Sequence, residues 1–375
     1  MNFPMIDFSS SLFKEDQLND CYIIGVQHIL PSTYSMFKAL INKGLKKENL
    51  SLLGKCYSTD LKTYSEMKAN GFDISDLSVF FNSHENYDDT FKSRIHEFLS
   101  KRQHIFKSSK YKKIIIIDDG GELLDEIEKY VDDFSKIVAI EQTASGYNRL
   151  IKKDLSFPII NLARSEAKLT IEYPRVISNA IRKINSLIAE SNQKIVNILI
   201  IGNGKMGSCL YTALENKYKV VRFDKNNNNS DIEEDQLPDV LMNSDLIIGC
   251  TGTISLSKEF HKYLKKNVTL VSLSSSDREF DTVHLRKTSP KTNNPWQNTK
   301  CDDVILANNG FPISFDNNNM DDSSFFQFTR ALIITSILQA LDISNKKGFI
   351  ELHQSFQKKI IDEFSGIQKN LLVEI

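Results

Sequence analysis

The chain has 375 residues, 41% hydrophobic and 25% charged, with a formal charge of −1. That is enough to bury two cores and leaves no basic surplus for nucleic acid. Five scattered cysteines without a CxxC pair exclude zinc-finger spacing and a disulfide framework, so no metal site is expected and the setting read from them is reducing and cytoplasmic. No signal-peptide pattern opens the chain, and no apolar run reaches the roughly 18 residues of a membrane span. The expected partner is a small molecule, not a membrane.

In chain order, Cys21–Val26 predicts a buried strand and Thr33–Lys43 a helix after it. Further strands are expected at Leu77–Phe81, Lys113–Ile117, Ile137–Ile140 and Pro158–Leu162. The run Ile114–Ile117 is apolar on both faces, as a central parallel strand requires. A long helical pattern over Tyr173–Glu190 leads into a second series of strands at 195–201, 219–223, 245–249, 268–273 and 303–307. The asparagine-rich stretches Lys225–Ser230 and Asp316–Met320 are expected to be solvated loops, and Ser323–Asp342 and Phe349–Lys369 to be helices. Strand–helix alternation of this kind makes an α/β chain.

The chemistry is concentrated in Gly202-Asn203-Gly204-Lys205-Met206-Gly207. An apolar strand, Asn197–Ile201, runs straight into it, and Ser208–Lys217 continues as a helix. The first glycine makes the tight turn, the second admits a pyrophosphate to the backbone, and the third lets helix and strand pack closely. The phosphates would meet free N–H groups at the helix start. Asp224 follows at the end of the next strand, where a carboxylate accepts from ribose hydroxyls and repels a 2′-phosphate. The cofactor expected is NAD in a Rossmann domain.

Several segments resemble the S-adenosylhomocysteine hydrolase family. Asp118-Asp-Gly-Gly-Glu122 resembles its DDGGD and Glu141-Gln-Thr-Ala-Ser-Gly146 its EETTTG. Phe157-Pro-Ile-Ile-Asn161, with Lys168 beyond it, resembles the substrate-domain strand and the lysine after it. Gly202–Gly207 falls on GYGDVG, and Cys250-Thr-Gly-Thr253 on the TTG segment. The resemblance implies a formate/glycerate dehydrogenase-like two-domain architecture, with a Rossmann domain (181–325) inserted into a second α/β substrate domain (1–180, completed by helices at 326–375) and the active site in the cleft. It implies transient NAD-dependent oxidation of a ribose hydroxyl. Lys168 would assist deprotonation, Asp119 would handle protons at the sugar, His28 would act as acid and base, and Glu172 stands where the family has Asp. Thr143 and Ser145 would touch NAD from the substrate domain, and Thr251, Gly252 and Thr253 would run beneath it.

Other positions depart from the family. Gln142 replaces the second glutamate of EETTTG, Tyr173 an asparagine, Ser275 a histidine, and Met320–Ser323 the Gly-His-Pro-Ser stretch. Ser32 and Leu30 replace the glutamate and threonine near the adenine of the substrate. The redox core is kept and the base-reading groups are lost, which favours an enzyme that oxidises a hydroxyl of another sugar- or nucleoside-type substrate. A catalytically silent NAD-binding homologue and a genuine hydrolase stay open beside it. The family's tail, which caps a neighbour's NAD site, has no counterpart, so a homodimer is expected, with the aromatic segment Phe325–Phe328 as its candidate interface. Cys250 reads as a small buried residue, not a nucleophile.

Overall fold

The computed structural model describes residues 3–191, 193–315, 324–344 and 346–373. The chain divides into two compact units, Met1–Val79 with Lys92–Pro174 and Met320–Ile375, and Phe80–Phe91 with Arg175–Asn319. No helix among the described residues is long and apolar enough to cross a membrane.

The first unit is built on β1 (Cys21–Ile29), β2 (Leu50–Thr59), β3 (Asp73–Ile74), β4 (Lys113–Asp118), β5 (Ile137–Glu141), β6 (Pro158–Asn161) and β13 (Gly348–Glu351). Their order across the sheet is β13-β6-β5-β4-β1-β2-β3, with every pair parallel. Ile115 and Ile117 on β4, with Ile23 on β1, meet the helices Pro31–Ile41 and Ser324–Leu341 in one core. Burial on both faces explains why β4 is an unbroken isoleucine run.

The second unit carries β7 (Asn197–Ile201), β8 (Lys219–Phe223), β9 (Leu246–Gly249), β10 (Thr269–Ser272), β11 (Thr299–Cys301) and β12 (Val304–Leu306). The order is β11-β12-β10-β9-β7-β8, parallel except for β11 against β12. The whole is a two-domain α/β fold on parallel sheets, as expected.

Three sequence expectations are corrected. Leu77–Phe81 is not a strand: Asp76–Val79 is a 3₁₀ turn, closed by Ser78 Oγ donating to Ser75 O and accepting from Gly54 N at 2.8 Å. Phe349 does not open a helix. It lies in β13, paired with Ile159 of β6, and the helix begins at Gln354. Phe328 is core, packed against Phe364 with ring centroids 4.9 Å apart, and so offers no surface to a partner. Hydrophobic patterning also gives no sign of β2 and β3. The side chain of Phe325, the loop Asp316–Met320 and the segment Met320–Ser323 lie outside the described residues.

Candidate functional site

Open parallel sheets bind ligands beyond the carboxyl ends of their strands, where the strand order reverses. In the first unit that point lies between β1 and β4, and in the second between β7 and β9.

His28 is near the end of β1, and Asp119 follows the last residue of β4. Their side chains meet, with His28 Nε2 3.1 Å from Asp119 Oδ2. The other ring nitrogen, Nδ1, is 2.5 Å from Ser58 Oγ. An ionised carboxylate only accepts, so Nε2 carries the hydrogen that meets Asp119. Asp119 also accepts from Lys55 Nζ at 3.2 Å and from Gln142 Nε2. Lys55 reaches Glu122 at 3.4 Å, and Glu122 accepts in turn from Arg149 at 3.2 Å.

Burial opposes the charge on Asp119, yet His28 and Lys55 beside it hold its carboxyl well below the usual carboxylate range. Burial likewise works against the Lys55 ammonium, but the neighbouring acids, Glu122 foremost, keep its proton on more firmly than usual.

Beneath this layer lie two further carboxylates, Asp118 and Glu141, register partners on β4 and β5 with no exposed surface. Glu141 Oε1 accepts from Thr143 N and Thr143 Oγ1, both at 2.7 Å, and from Gly120 N at 3.3 Å. Asp118 Oδ2 accepts from Leu124 N at 2.9 Å. The remaining oxygens, Asp118 Oδ1 and Glu141 Oε2, are buried without a donor. Burial, reinforced by nearby carboxylates, pushes Asp118 up to about 7 and Glu141 well above its ordinary value. The pair therefore retains a proton where exposed carboxylates have lost theirs. Residue 146 must be glycine here, because a Cβ would run into the Glu141 carboxylate.

Lys168 and Glu172 occupy a π-helical turn that opens the helix Tyr173–Glu190, and turns of this type concentrate at functional sites. The turn sets their head groups 3.0 Å apart. Lys168 Nζ donates to the backbone oxygen of Gln142 at 2.6 Å, the residue whose side chain bonds Asp119. Gln142 thus links the His28–Asp119 pair, through its side chain, to the Lys168–Glu172 pair, through its backbone oxygen. Thr143 caps the helix Ala144–Leu150, accepting from Gly146 N at 2.9 Å, and Ser145 is half-buried within that helix. Ser32 and Leu30 are buried, and Ser32 Oγ accepts from Arg330 Nε at 3.4 Å.

In the second unit Gly202 has φ +97°, and a Cβ on Gly207 would collide with the Gly202 carbonyl oxygen. Gly204 has nothing within 4 Å of where a Cβ would stand. The turn thus needs a left-handed residue at 202, close packing at 207 and open space at 204, as a pyrophosphate cradle requires. Lys205 and Met206 begin the helix Lys205–Leu214. Asp224, at the end of β8, accepts from Asn203 N at 2.7 Å and Asn226 N at 2.9 Å, and so ties the glycine turn to the neighbouring strand. Thr251, Gly252 and Thr253 follow β9. Glu279, wholly buried, organises them: it accepts from Thr251 N at 2.9 Å, Thr251 Oγ1 at 2.7 Å and Gly252 N at 3.1 Å. Thr253 N donates to Thr251 Oγ1 at 3.1 Å. Burial pushes the Cys250 thiol up, away from nucleophilic thiolate character. Ser275 is exposed.

Sequence reasoning does not find Lys55, Ser58, Gln27, Glu122, Arg330 or Glu279 in these roles. Lys55 and Ser58 sit on β2, whose pattern conceals it. Glu279 carries only the faint signal of an acid among apolar neighbours.

No family model matches the chain. An adenosylhomocysteinase from Acinetobacter baylyi is 28% identical over 204 residues, 46% of this chain and 43% of that protein, so the resemblance read from the motifs holds as a distant, partial relationship. Among solved structures, a dipicolinate synthase chain of Bacillus subtilis is 11% identical, with a TM-score of 0.40 over 86% of this chain and 96% of that one. A formate dehydrogenase from Granulicella is 11% identical, with a TM-score of 0.36 over 77% and 84%. Uncharacterized proteins from two strains of Mycobacterium tuberculosis, CDC 1551 and H37Rv, are each 32% identical over 343 residues, 90% of this chain and 67% of theirs. The chain belongs to the family of these uncharacterized mycobacterial proteins.

Proposed function

We propose that the protein is an NAD-dependent enzyme of the adenosylhomocysteinase type that oxidises a hydroxyl of a sugar- or nucleoside-type substrate other than S-adenosylhomocysteine. The observation that carries this reading is the pairing of His28 with Asp119 and of Lys168 with Glu172 on either side of Gln142, the first pair at the reversal point of the first sheet. The glycine turn of the second unit, with Gly202 at φ +97° and open space at Gly204, supports the cofactor. When bound, NAD would supply the hydride acceptor for the hydroxyl-bearing carbon. Lys168 Nζ would first pass a proton to Glu172, 3.0 Å away, and as the neutral amine would then take the hydroxyl proton. His28 exchanges a proton at Nδ1 once the Ser58 hydroxyl turns away. Asp119 holds Nε2–H and so keeps the ring in one tautomer.

A non-catalytic NAD-binding protein is the second reading. It is favoured by the engagement of both His28 nitrogens and of the Lys168 head by protein groups. Calorimetry with NAD, followed by absorbance of reduced cofactor against a panel of nucleosides and sugars, separates the two. Reduction by an alcohol, lost in Lys168→Met, supports the enzyme, whereas binding without any reduction supports the silent homologue. Thiol release from S-adenosylhomocysteine at the rate of an ordinary hydrolase would overturn the exclusion of that substrate. Asp224→Ala should weaken NAD binding by at least about tenfold, since a charge-assisted hydrogen bond contributes roughly 1.5–3 kcal/mol.

A further inference from the structure

Arg330, on the helix Ser324–Leu341, has 1% of its surface exposed. Its Nη1 donates to Gln27 Oε1 at 3.1 Å. An amide whose oxygen is taken in this way turns its NH₂ to the opposite side, and Gln27 Nε2 donates to Gln142 Oε1 at 3.1 Å. Gln142 is turned in the same sense and donates from Nε2 to Asp119 Oδ2. A guanidinium has no acceptor and an ionised carboxylate has no donor, so the two ends of the line impose one direction on both amides. Gln27 is wholly buried and Gln142 is 4% exposed, so water is not at hand to repair a reversed amide.

We infer that Arg330 and Gln27 are positioning residues which, through Gln142, hold Asp119 as a pure hydrogen-bond acceptor and leave His28 as the proton carrier of the site. A proton on Asp119 Oδ2 would need an acceptor opposite it. Gln142 could offer its oxygen only by flipping, and its NH₂ would then face that of Gln27. Gln27 would have to flip in turn and set its NH₂ against the Arg330 guanidinium. Buried donors facing one another are each costly, so the line resists reversal as a unit. The other groups facing Asp119 act in the same sense or stand apart. His28 on β1 and Lys55 on β2 are donors to it. Burial holds Asp118 and Glu141 above the usual carboxylate range, and Glu122 is engaged by Lys55 and Arg149. Lys168 meets Gln142 at its backbone oxygen and pairs with Glu172. For the role of His28 the inference rests on the redox reading. For Asp119 it does not.

The test follows the Asp119 carboxyl carbon by NMR in the full chain labelled with ¹³C-aspartate, assigned by its loss in Asp119→Asn, with pH as the variable. Gln27→Glu is isosteric, keeps Arg330 partnered and reverses the line: the introduced carboxylate accepts from Gln142, whose oxygen then faces Asp119. The Asp119 midpoint should rise by at least about one pH unit, a tenfold gain in proton affinity. Gln142→Met removes the last donor without adding charge and should raise the midpoint by a smaller amount. Gln27→Met cuts the line without reversing it and should move the midpoint least. Wild-type titration in both Gln27→Glu and Gln142→Met, or an equal shift in Gln27→Met and Gln27→Glu, would overturn the inference. Neither NAD nor a substrate is needed, so this failure is distinct from failure of the redox reading.

Discussion

Asp118→Asn should make the protein more stable above neutral pH and flatten its stability profile below it. In the folded chain burial, with the charge of Glu122 behind it, pushes Asp118 up to about 7 from an ordinary value of 3.8. A folded-state value above the unfolded one means that folding takes up a proton. The stability that goes with it is fully present below about pH 3.8 and is lost as pH rises through about 7. At 1.36 kcal/mol per pH unit, the whole window is worth about 4 kcal/mol. Asparagine keeps an oxygen for Leu124 N and stays neutral at every pH of the series. Urea denaturation of wild type and variant at pH 4, 5, 6, 7 and 8 reads the difference. Groups remote from the pair, His261 among them, titrate in both proteins and cancel in the subtraction, whereas Glu141, which Asp118 raises, adds to the difference. The gap should favour the variant increasingly from about pH 4, approach a few kcal/mol by about pH 7 and then level off. A gap that does not vary with pH, or a variant less stable than wild type at pH 8, would show that Asp118 and Glu141 hold no proton.

Two further predictions bear on the cofactor loops. Gly207→Ala drives a Cβ into the Gly202 carbonyl oxygen and should cost about 1–3 kcal/mol of stability, whereas Gly204→Ala meets nothing and should fold as well as wild type while binding NAD more weakly; equal NAD affinity of Gly204→Ala and wild type in calorimetry would remove the pyrophosphate cradle from the argument. Glu279→Gln sets an NH₂ against one of the two N–H groups that the separate Glu279 oxygens accept from, Thr251 N or Gly252 N, and should lower NAD affinity by about tenfold with a stability loss of about 1–3 kcal/mol, measured by the same titration and by thermal melting.

How far the chain can be read from its letters follows from what each segment has to satisfy locally. The glycine turn is legible because its three glycines meet backbone demands that no other residue meets, whatever surrounds them. β4 is legible because both its faces are apolar. β2 is not: Ser51, Lys55, Ser58 and Thr59 break its apolar run, although the strand is buried along its whole length. Three of these polar groups meet distant partners, Ser51 with Asp73, Lys55 with Asp119 and Glu122, and Ser58 with His28. Site-bearing strands hide from hydrophobic patterning for this reason, and the Lys55–Asp119 contact leaves no local trace. Phe349 misleads for another reason. A short apolar run does not declare its period, and its strand partner, β6, lies far upstream in the chain.

The same non-local logic bears on the positions where the chain departs from the hydrolase pattern. Ser32 and Gln142 look like separate losses in the sequence, one of a base reader and one of a titratable acid. In the fold they lie at either side of one hydrogen-bonded line: Arg330 binds both Ser32 and Gln27, and Gln27 leads to Gln142 and Asp119. A glutamate at 142 could still accept from Gln27, but its second oxygen would confront the Asp119 carboxylate in a buried setting. Restoring glutamate alone is therefore expected to damage the site. Gln142→Glu should lose about 1–3 kcal/mol above neutral pH, the cost of a buried polar group left without its partner, and recover as acid supplies a shared proton. Denaturation at pH 5 and pH 8 measures this. A variant as stable as wild type at pH 8 would mean that Gln142 and Asp119 are not coupled as described.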